Sequence, residues 1–320
     1  MPRSLFDKVA ERIWCYKGRQ VVYSELEKLR AELSNLKYEL HDEIQHNTCP
    51  MKFPIVKSKQ ETLDTLLCKE CSIARYGDGE FKIMLGESIP FQRHSPELAR
   101  RLREILVSDD SRLLVGIPDL FGSLECLKPQ NRLFWRMHLA SCRSAIYNML
   151  SFEKTYYDTQ FSRPYIIYAD DIYLPEYFEK VRQIWKGRDV ILIEGVQSRV
   201  GIGNDLLNTA ASVRRILGPA KNAFERYADL LREAILHPKE VLFLLALGPT
   251  ATVLACDLAK IGYRALDIGH IDLEYEWFLR KATKKTRIPG KYVNEVRGGH
   301  RVDEGVVNSE YRKQVIATIR

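Results

Sequence analysis

The chain has 320 residues, of which 45% are hydrophobic, enough to bury a full core in one large α/β domain or two smaller ones; a wholly disordered protein is excluded. Its 49 Lys and Arg against 42 Asp and Glu leave a net charge of +7, which favours an anionic partner such as a nucleotide, a nucleic acid or a membrane surface without choosing among them. The longest continuous apolar run, VLFLLAL at 241–247, falls far short of the roughly 20 residues a membrane-spanning helix needs, and the N-terminus carries no apolar signal region, so a cytoplasmic location is expected.

In chain order, the first pattern is a helix over 22–44. Val22, Leu26, Leu29, Leu33, Leu36 and Leu40 follow one another at spacings of 4, 3, 4, 3 and 4, the seam of a coiled coil, though shorter than the three to four heptads that define one firmly. Two readings stay open: a dimerising helix that makes a homo-oligomer, or an amphipathic helix lying on the main domain. HNTCPMKFP at 46–54 reads as a linker with a proline toward each end, separating an N-terminal helical segment, 1–48, from a main domain over 60–320.

From residue 60 onward, strand-like and helix-like segments alternate. Strands are predicted at 72–77, 112–117, 165–169, 189–194, 240–247 and 263–268, and helices at 96–107, 130–150, 174–185, 205–217, 223–236 and 250–261. Several strands are short and continuously apolar, as strands covered on both faces are. The expected fold class is therefore α/β, a Rossmann-like, mostly parallel sheet with flanking helices, preceded by an N-terminal helix. The 7 cysteines are scattered, which fits reduced thiols; CKEC at 68–71 follows a helical ETLDTLL and lacks both the strand of a thioredoxin-like motif and the further ligands of a zinc site.

In such a sheet ligands bind outside the carboxyl ends of the strands, so the strand exits are where chemistry is sought. The first exit is RYGDGE, 75–80. On an extended segment Asp78 and Glu80 point to one side, about 7 Å apart, and could converge on a hard cation, with Gly77 and Gly79 permitting a bend and close approach; an Asp-Gly turn with solvated carboxylates explains the same spacing. At IEGVQSRVGIGNDLL, 193–207, Arg199, Gly201 and Gly203 precede an expected helix start with Asn204 and Asp205 as caps, an arrangement suited to phosphate. Leu206 stands where a dinucleotide fingerprint requires a third glycine. At LALGPTATVL, Gly248 ends a strand, Pro249 fits a first helical turn, and Thr250 and Thr252 add hydroxyls beside free N–H groups. At DIGHIDLEYEWF, 267–278, His270, Asp272, Glu274 and Glu276 alternate with apolar residues and would line one face if extended; the basic run RKATKKTRIPGK, 280–291, follows.

RYGDGE, SRVGIGNDLL with GPAKNAFERY, ALGPTATVLACDLAKIGY and DIGHIDLEYEWF together resemble the bacterial glycosyltransferases of the GT-D fold, a group first catalogued as a domain of unknown function. The resemblance runs from about residue 60 to about 300 and includes LLVGIPD (113–119) and SRPY (162–165). It implies a GT-D type catalytic domain that moves a sugar, expectedly a hexose, from a nucleotide-sugar donor, typically a UDP-sugar, to a glycan, glycoprotein or lipid-linked acceptor. It also implies a divalent cation, Mn²⁺ or Mg²⁺, held by an Asp-x-Glu motif that falls on Asp78 and Glu80. Arg75, Gly77, Arg199, Gly201, Gly203, Asn204, Asp205, Gly248, Pro249, Thr250 and Thr252 are then the nucleotide-sugar candidates, and Glu274 and Asp272, ahead of His270, the candidates for general base. A lipid-linked acceptor would make 280–291 a contact with the inner membrane surface. The competing readings are another Rossmann-type nucleotide enzyme, such as a dehydrogenase, and a non-catalytic coiled-coil adaptor. Nucleic acid is not expected as a partner, because no recognised binding module accompanies the charge.

Overall fold

The computed structural model of the protein describes residues 5–48, 52–169, 173–302 and 309–320; residues 49–51, inside the expected linker, lie outside the described set. The chain divides into two compact units, one of residues 1–51 with 129–143, the other of residues 52–128 with 144–320. In the first, helix α1 (Leu5–Thr48) is longer than the predicted 22–44, and the Arg136 guanidinium donates to Glu39 at 2.7 Å. Arg136 belongs to α5 (Pro129–Tyr147).

The second unit is built on a nine-stranded sheet: β1 (Ile55–Lys57), β2 (Ser72–Arg75), β3 (Leu113–Ile117), β4 (Thr155–Asp158), β5 (Asp189–Gly195), β6 (Ser212–Gly218), β7 (Leu242–Ala246), β8 (Arg264–Asp267) and β9 (Val315–Thr318). Their order is β1-β4-β3-β2-β8-β7-β5-β6-β9, and every described pair is parallel. Helices α2 (Lys59–Cys68), α3 (Asp78–Met84), α4 (Pro96–Leu106), α6 (Leu174–Gln183), α7 (Tyr227–Ala234), α8 (Pro249–Lys260), α9 (Ile271–Leu279) and α10 (Ser309–Gln314) complete it.

Parallel strands joined by helices must be covered on both faces, and the side chains show it. Val190, Leu192, Leu242, Leu244, Ile73 and Leu266 form one buried cluster with Leu63 and Leu66 of α2, Tyr177, Phe178 and Val181 of α6, and Trp185 just beyond it. The alternate residues Ile191, Ile193, Phe243 and Leu245 are equally buried, and α8 packs against β2 and β8. Helix starts follow their local chemistry: Ser58 and Glu61 form a reciprocal capping box on α2, and Ser95 caps α4 ahead of Pro96.

Two expected elements do not form. The apolar segment 165–169 is not a strand; Tyr168 makes only an isolated bridge to Leu127, and the N–H groups of Tyr165 and Ile166 donate to the Glu274 carboxylate at 2.9 and 2.8 Å instead of to a neighbouring strand. Residues 205–217 are not a helix. Turns run to 211 and β6 follows, paired with β5 from Asp189↔Ser212 to Gly195↔Gly218. Tertiary pairing overrides the helical periodicity there, and a buried ion pair joins the two strands: Arg215 donates to Glu194, both essentially inaccessible to water. The strands absent from the sequence reading, β1, β4 and β9, are three or four residues long, too short to show a period. All six described cysteines are free thiols. Among the described residues no helix is long and apolar enough to cross a membrane.

Because Glu194 has no access to water, Arg215→Ala should destabilise the domain by about 3–5 kcal/mol, whereas the double change Glu194→Leu with Arg215→Met should cost less than the single one. Denaturant unfolding of the three proteins checks the order.

Candidate functional site

The strand order places one crevice at the centre of the sheet. From β2 the chain steps outward to β3, while it reaches β8, on the other side of β2, from β7; a parallel sheet opens a crevice between carboxyl ends where connections depart in opposite directions. Arg75 ends β2 and Asp267 ends β8, and they meet there, Arg75 Nη1 to Asp267 Oδ1 at 3.3 Å. Arg75 Nε donates to the Thr159 carbonyl at 3.1 Å, and Thr252 Oγ1, from the first turn of α8, donates to the Arg75 carbonyl at 2.9 Å. The guanidinium lies close against Gly269, where an added Cβ would sit 1.8 Å from Nη1, and Gly269 has φ +49°, so this position suits glycine alone.

RYGDGE turns sharply here. Asp78 and Glu80 lie in the first turn of α3 rather than on an extended segment, so their side chains diverge by about 200° around the helix. Asp78 stays partly exposed and accepts from Lys82 at 2.8 Å. Glu80 folds back, its Oε2 accepting from the Gly77 N–H at 2.7 Å, and no described residue bonds Oε1. Loss of water and the nearby Asp267 push the Glu80 carboxyl up to about 7, and burial raises Asp267 as well despite Arg75. Asp158, buried at the end of β4, is likewise pushed up to about 7 by burial, with Asp119 adding repulsion. Burial thus pushes Glu80, Asp267 and Asp158, all within electrostatic reach of Arg75, above the usual carboxylate range.

The acidic segment after β8 is helical, as α9, and the alternation of 270–276 breaks up around it. Asp272 and Glu276, one turn apart, face the same way. Asp272 accepts from the Gly201 N–H and from Asn204 Nδ2, both at 2.8 Å, and pairs with the buried Lys291 at 2.6 Å. Glu276 accepts from Asn204, Lys291 and Arg280. Glu274 points the other way, to the N–H groups of Tyr165 and Ile166; its Oε1 is buried without a partner, and burial raises its pKa. His270 precedes α9, its Nδ1 2.6 Å from Arg163 Nη2 and its Nε2 3.2 Å from Asn294 Oδ1; these partners assign the proton to Nε2. Burial and the Arg163 charge lower its pKa to about 3, so the ring is neutral near pH 7. Glu295 also pairs with Arg163; although burial opposes its charge, Arg163 and His270 hold its pKa well below the usual carboxylate range.

The other expected ligand groups make contacts within the fold. No helix opens at Asn204. Arg199, at φ +51°, turns its guanidinium inward to the Gly290 carbonyl at 3.0 Å, Val200 N–H donates to Glu194, and Asp205 accepts from the Tyr275 hydroxyl at 2.6 Å. Gly201 and Gly203 take positive φ in the same loop, and Leu207 fills the space a Cβ at Gly201 would need. At the start of α8, Gly248 (φ +55°) packs under Phe91, Pro249 occupies the first turn, and the Thr250 hydroxyl is buried without a described partner. Three residues of the basic run are engaged with carboxylates: Arg280 with Glu276, Lys285 with Glu295, Lys291 with Asp272. Arg163, Asp267, Glu295 and Asp158 were not among the sequence candidates. Asp267 carried a signal, an acid closing an apolar strand; Glu295 carried none, because its partner Arg163 lies 132 residues away.

A doubly wound parallel sheet with charged side chains gathered at its central crevice defines the class, an α/β protein that binds its ligand outside the strand ends. Residues 73–296 match the glycosyltransferase GT-D fold family, and the chain belongs to it. It is 38% identical over 268 residues to the probable glycosyl transferase Gly of Streptococcus gordonii, across 82% of this chain and 39% of that protein. It is 37% identical over 275 residues to the glycosyltransferase GlyD of Streptococcus pneumoniae serotype 4, across 84% of this chain and 33% of that protein. The chain thus spans between a third and two fifths of these curated relatives. Among solved structures, a new glycosyltransferase (DUF1792) from Streptococcus sanguinis superposes with a TM-score of 0.80 at 39% identity, over 84% of this chain and all of that one. A second, described as a highly conserved domain of unknown function with a distinct glycosyltransferase fold, gives 0.79 at 38%, over 83% of this chain and 96% of that one.

A carboxyl whose pKa is raised in the fold from about 3.9 to about 7 contributes stability that is lost as pH climbs through that window, because the unfolded chain releases its proton first. Asp158→Asn keeps the acceptor for Gln160 and removes this titration. The fall in unfolding temperature between about pH 4 and about pH 7 should be shallower in the variant than in the wild type, measured with chelator present.

Proposed function

We propose that the chain transfers a hexosyl group from a nucleoside-diphosphate sugar, a UDP-sugar in the first instance, to a hydroxyl of a glycan or glycoconjugate acceptor. The observation that carries this reading is the gathering of carboxyls beside fixed arginines at the central crevice, within the segment that matches the GT-D fold family.

Donor charge meets two arginines there. Arg75 is held by Asp267, Thr159 and Gly269, and Arg163 by Glu295 and His270; cations already fixed by neighbours lose little freedom on binding a diphosphate. Among the described residues no three His, Cys, Asp or Glu side chains form a ready metal cage. Two carboxylates at most, with the donor's own phosphates and water, would complete a Mg²⁺ or Mn²⁺ shell, the usual manner for such ions. Asp78, partly exposed, fits that role as a single protein carboxylate, whereas Glu80, about 200° away around α3 and folded back on the Gly77 N–H, does not converge with it on one ion. A bound divalent ion would offset the charge that develops on the leaving diphosphate. Asp78 and Arg163, which lie within electrostatic reach of each other, would then fix where the diphosphate lies.

For the acceptor proton, the three candidate bases differ in what already occupies them. Both oxygens of Asp272 and both ring nitrogens of His270 have partners. Glu274 keeps one oxygen unpartnered, and its raised pKa is the direction a base working near neutrality needs. We assign the base to Glu274.

Asp78→Asn should abolish the extra thermal stabilisation that Mn²⁺ adds to UDP-sugar binding and reduce transfer; wild-type transfer with unchanged metal dependence would remove Asp78 from the metal site. Glu274→Gln retains an oxygen for the Tyr165 and Ile166 N–H groups, so it should fold and bind donor while losing transfer by about 10²–10⁴-fold, read by product mass spectrometry.

A further inference from the structure

The seam leucines of α1 are not used by their own unit. Asn35, Tyr38 and Glu39 are the partly covered positions on the described part of the helix, and Glu39 is the one that Arg136 of α5 engages. Val22, Leu26, Leu29, Leu33, Leu36 and Leu40 all remain exposed, from 46% at Leu26 to 65% at Leu33. An apolar stripe of this length, about 27 Å along the helix, is costly to leave in water.

The charges beside the stripe select its partner. With Leu26, Leu33 and Leu40 at a, and Val22, Leu29 and Leu36 at d, the g positions are Glu25, Glu32 and Glu39 and the e positions Tyr23, Arg30, Lys37 and Ile44. In a parallel pair each g residue faces the e residue of the next heptad on the other helix: Glu25 meets Arg30, and Glu32 meets Lys37, once in each direction. An antiparallel pair would set glutamates against glutamates and Arg30 and Lys37 against each other. Glu25 and Arg30 now bond only to Lys28 and Glu27 on their own exposed surface, interactions worth a few tenths of a kcal/mol and readily exchanged. Seven residues before Val22, again at d, stands the exposed free thiol Cys15.

We propose that α1 joins two copies of this chain as a parallel, in-register coiled coil. The interface is set by the leucine seam and by the Glu25–Arg30 and Glu32–Lys37 pairs between copies, and it brings the two Cys15 thiols together at the seam.

Sedimentation equilibrium of the full chain should give a concentration-dependent dimer. Leu29→Lys with Leu33→Lys should be monomeric with the unfolding temperature of the sheet domain unchanged. A chain carrying Glu25→Lys and Glu32→Lys and another carrying Arg30→Glu and Lys37→Glu should each lose self-association and recover it when mixed. Mild oxidation with diamide should link the wild type through Cys15, and the link should vanish in Cys15→Ser; an antiparallel pair would hold these thiols at opposite ends. A wild type that stays monomeric, a dimer indifferent to the leucine or charge changes, or the absence of a Cys15 link would overturn the proposal. So would a monomer that sediments with anionic phospholipid vesicles through these leucines.

Discussion

Arg75 and Asp267 end neighbouring strands that the chain reaches from opposite sides of the sheet, and their contact determines what the crevice between them can hold. The guanidinium is held in place: Asp267 and the Thr159 carbonyl accept from it, Gly269 lies close against it, and the Thr252 hydroxyl donates to the Arg75 carbonyl. One arginine thereby ties together β2, β8, the end of β4 and the first turn of α8. Burial, with Asp267 adding repulsion, raises the Glu80 carboxyl nearby. A rigid cation thus stands beside buried acids at the carboxyl ends of neighbouring strands.

Around this centre, much of the remaining charge works as architecture. Asp272, Glu276 and Lys291 form a buried cluster that holds the loop at 201–204 through Asn204 and the Gly201 N–H. Glu194 and Arg215 do the same between β5 and the loop, since Arg215 also donates to the Val200 carbonyl at 2.9 Å. Such groups are costly to bury singly and acceptable only when every partner is present, so they specify one conformation of a glycine-rich loop that would otherwise have many. Arg163, Glu295 and His270 form a third cluster, in which burial and the arginine keep the imidazole neutral against the pull of the carboxylate.

Much of this was legible beforehand, for reasons that differ by element. β5 and β7 are continuous apolar runs because both faces of a parallel sheet are covered, so they read directly as buried strands. α8 announced itself through Gly248 and Pro249, and RYGDGE marked a strand exit, which the strand order then placed at the centre of the sheet. The errors have physical causes. β6 carries helical periodicity, but pairing with β5 and β9 and the Glu194–Arg215 contact outweigh it. The apolar stretch 165–169 looks like a strand, yet its N–H groups are claimed by a carboxylate more than a hundred residues away.

Local sequence, through burial periodicity and cap chemistry, determined the alternation of strands and helices, the parallel class of sheet, the strand exit at RYGDGE and the leucine seam on the first helix. These depend on residues within a turn or two of one another. The assignment of charges was decided only by the tertiary structure. Whether an acid faces ligand or scaffold depends on partners far away in the chain, Lys291 for Asp272, Tyr165 for Glu274, Asp267 for Arg75, and on whether its segment is helical or extended. A carboxylate's role follows from the free energy of its surroundings, and those surroundings exist only once the chain has folded.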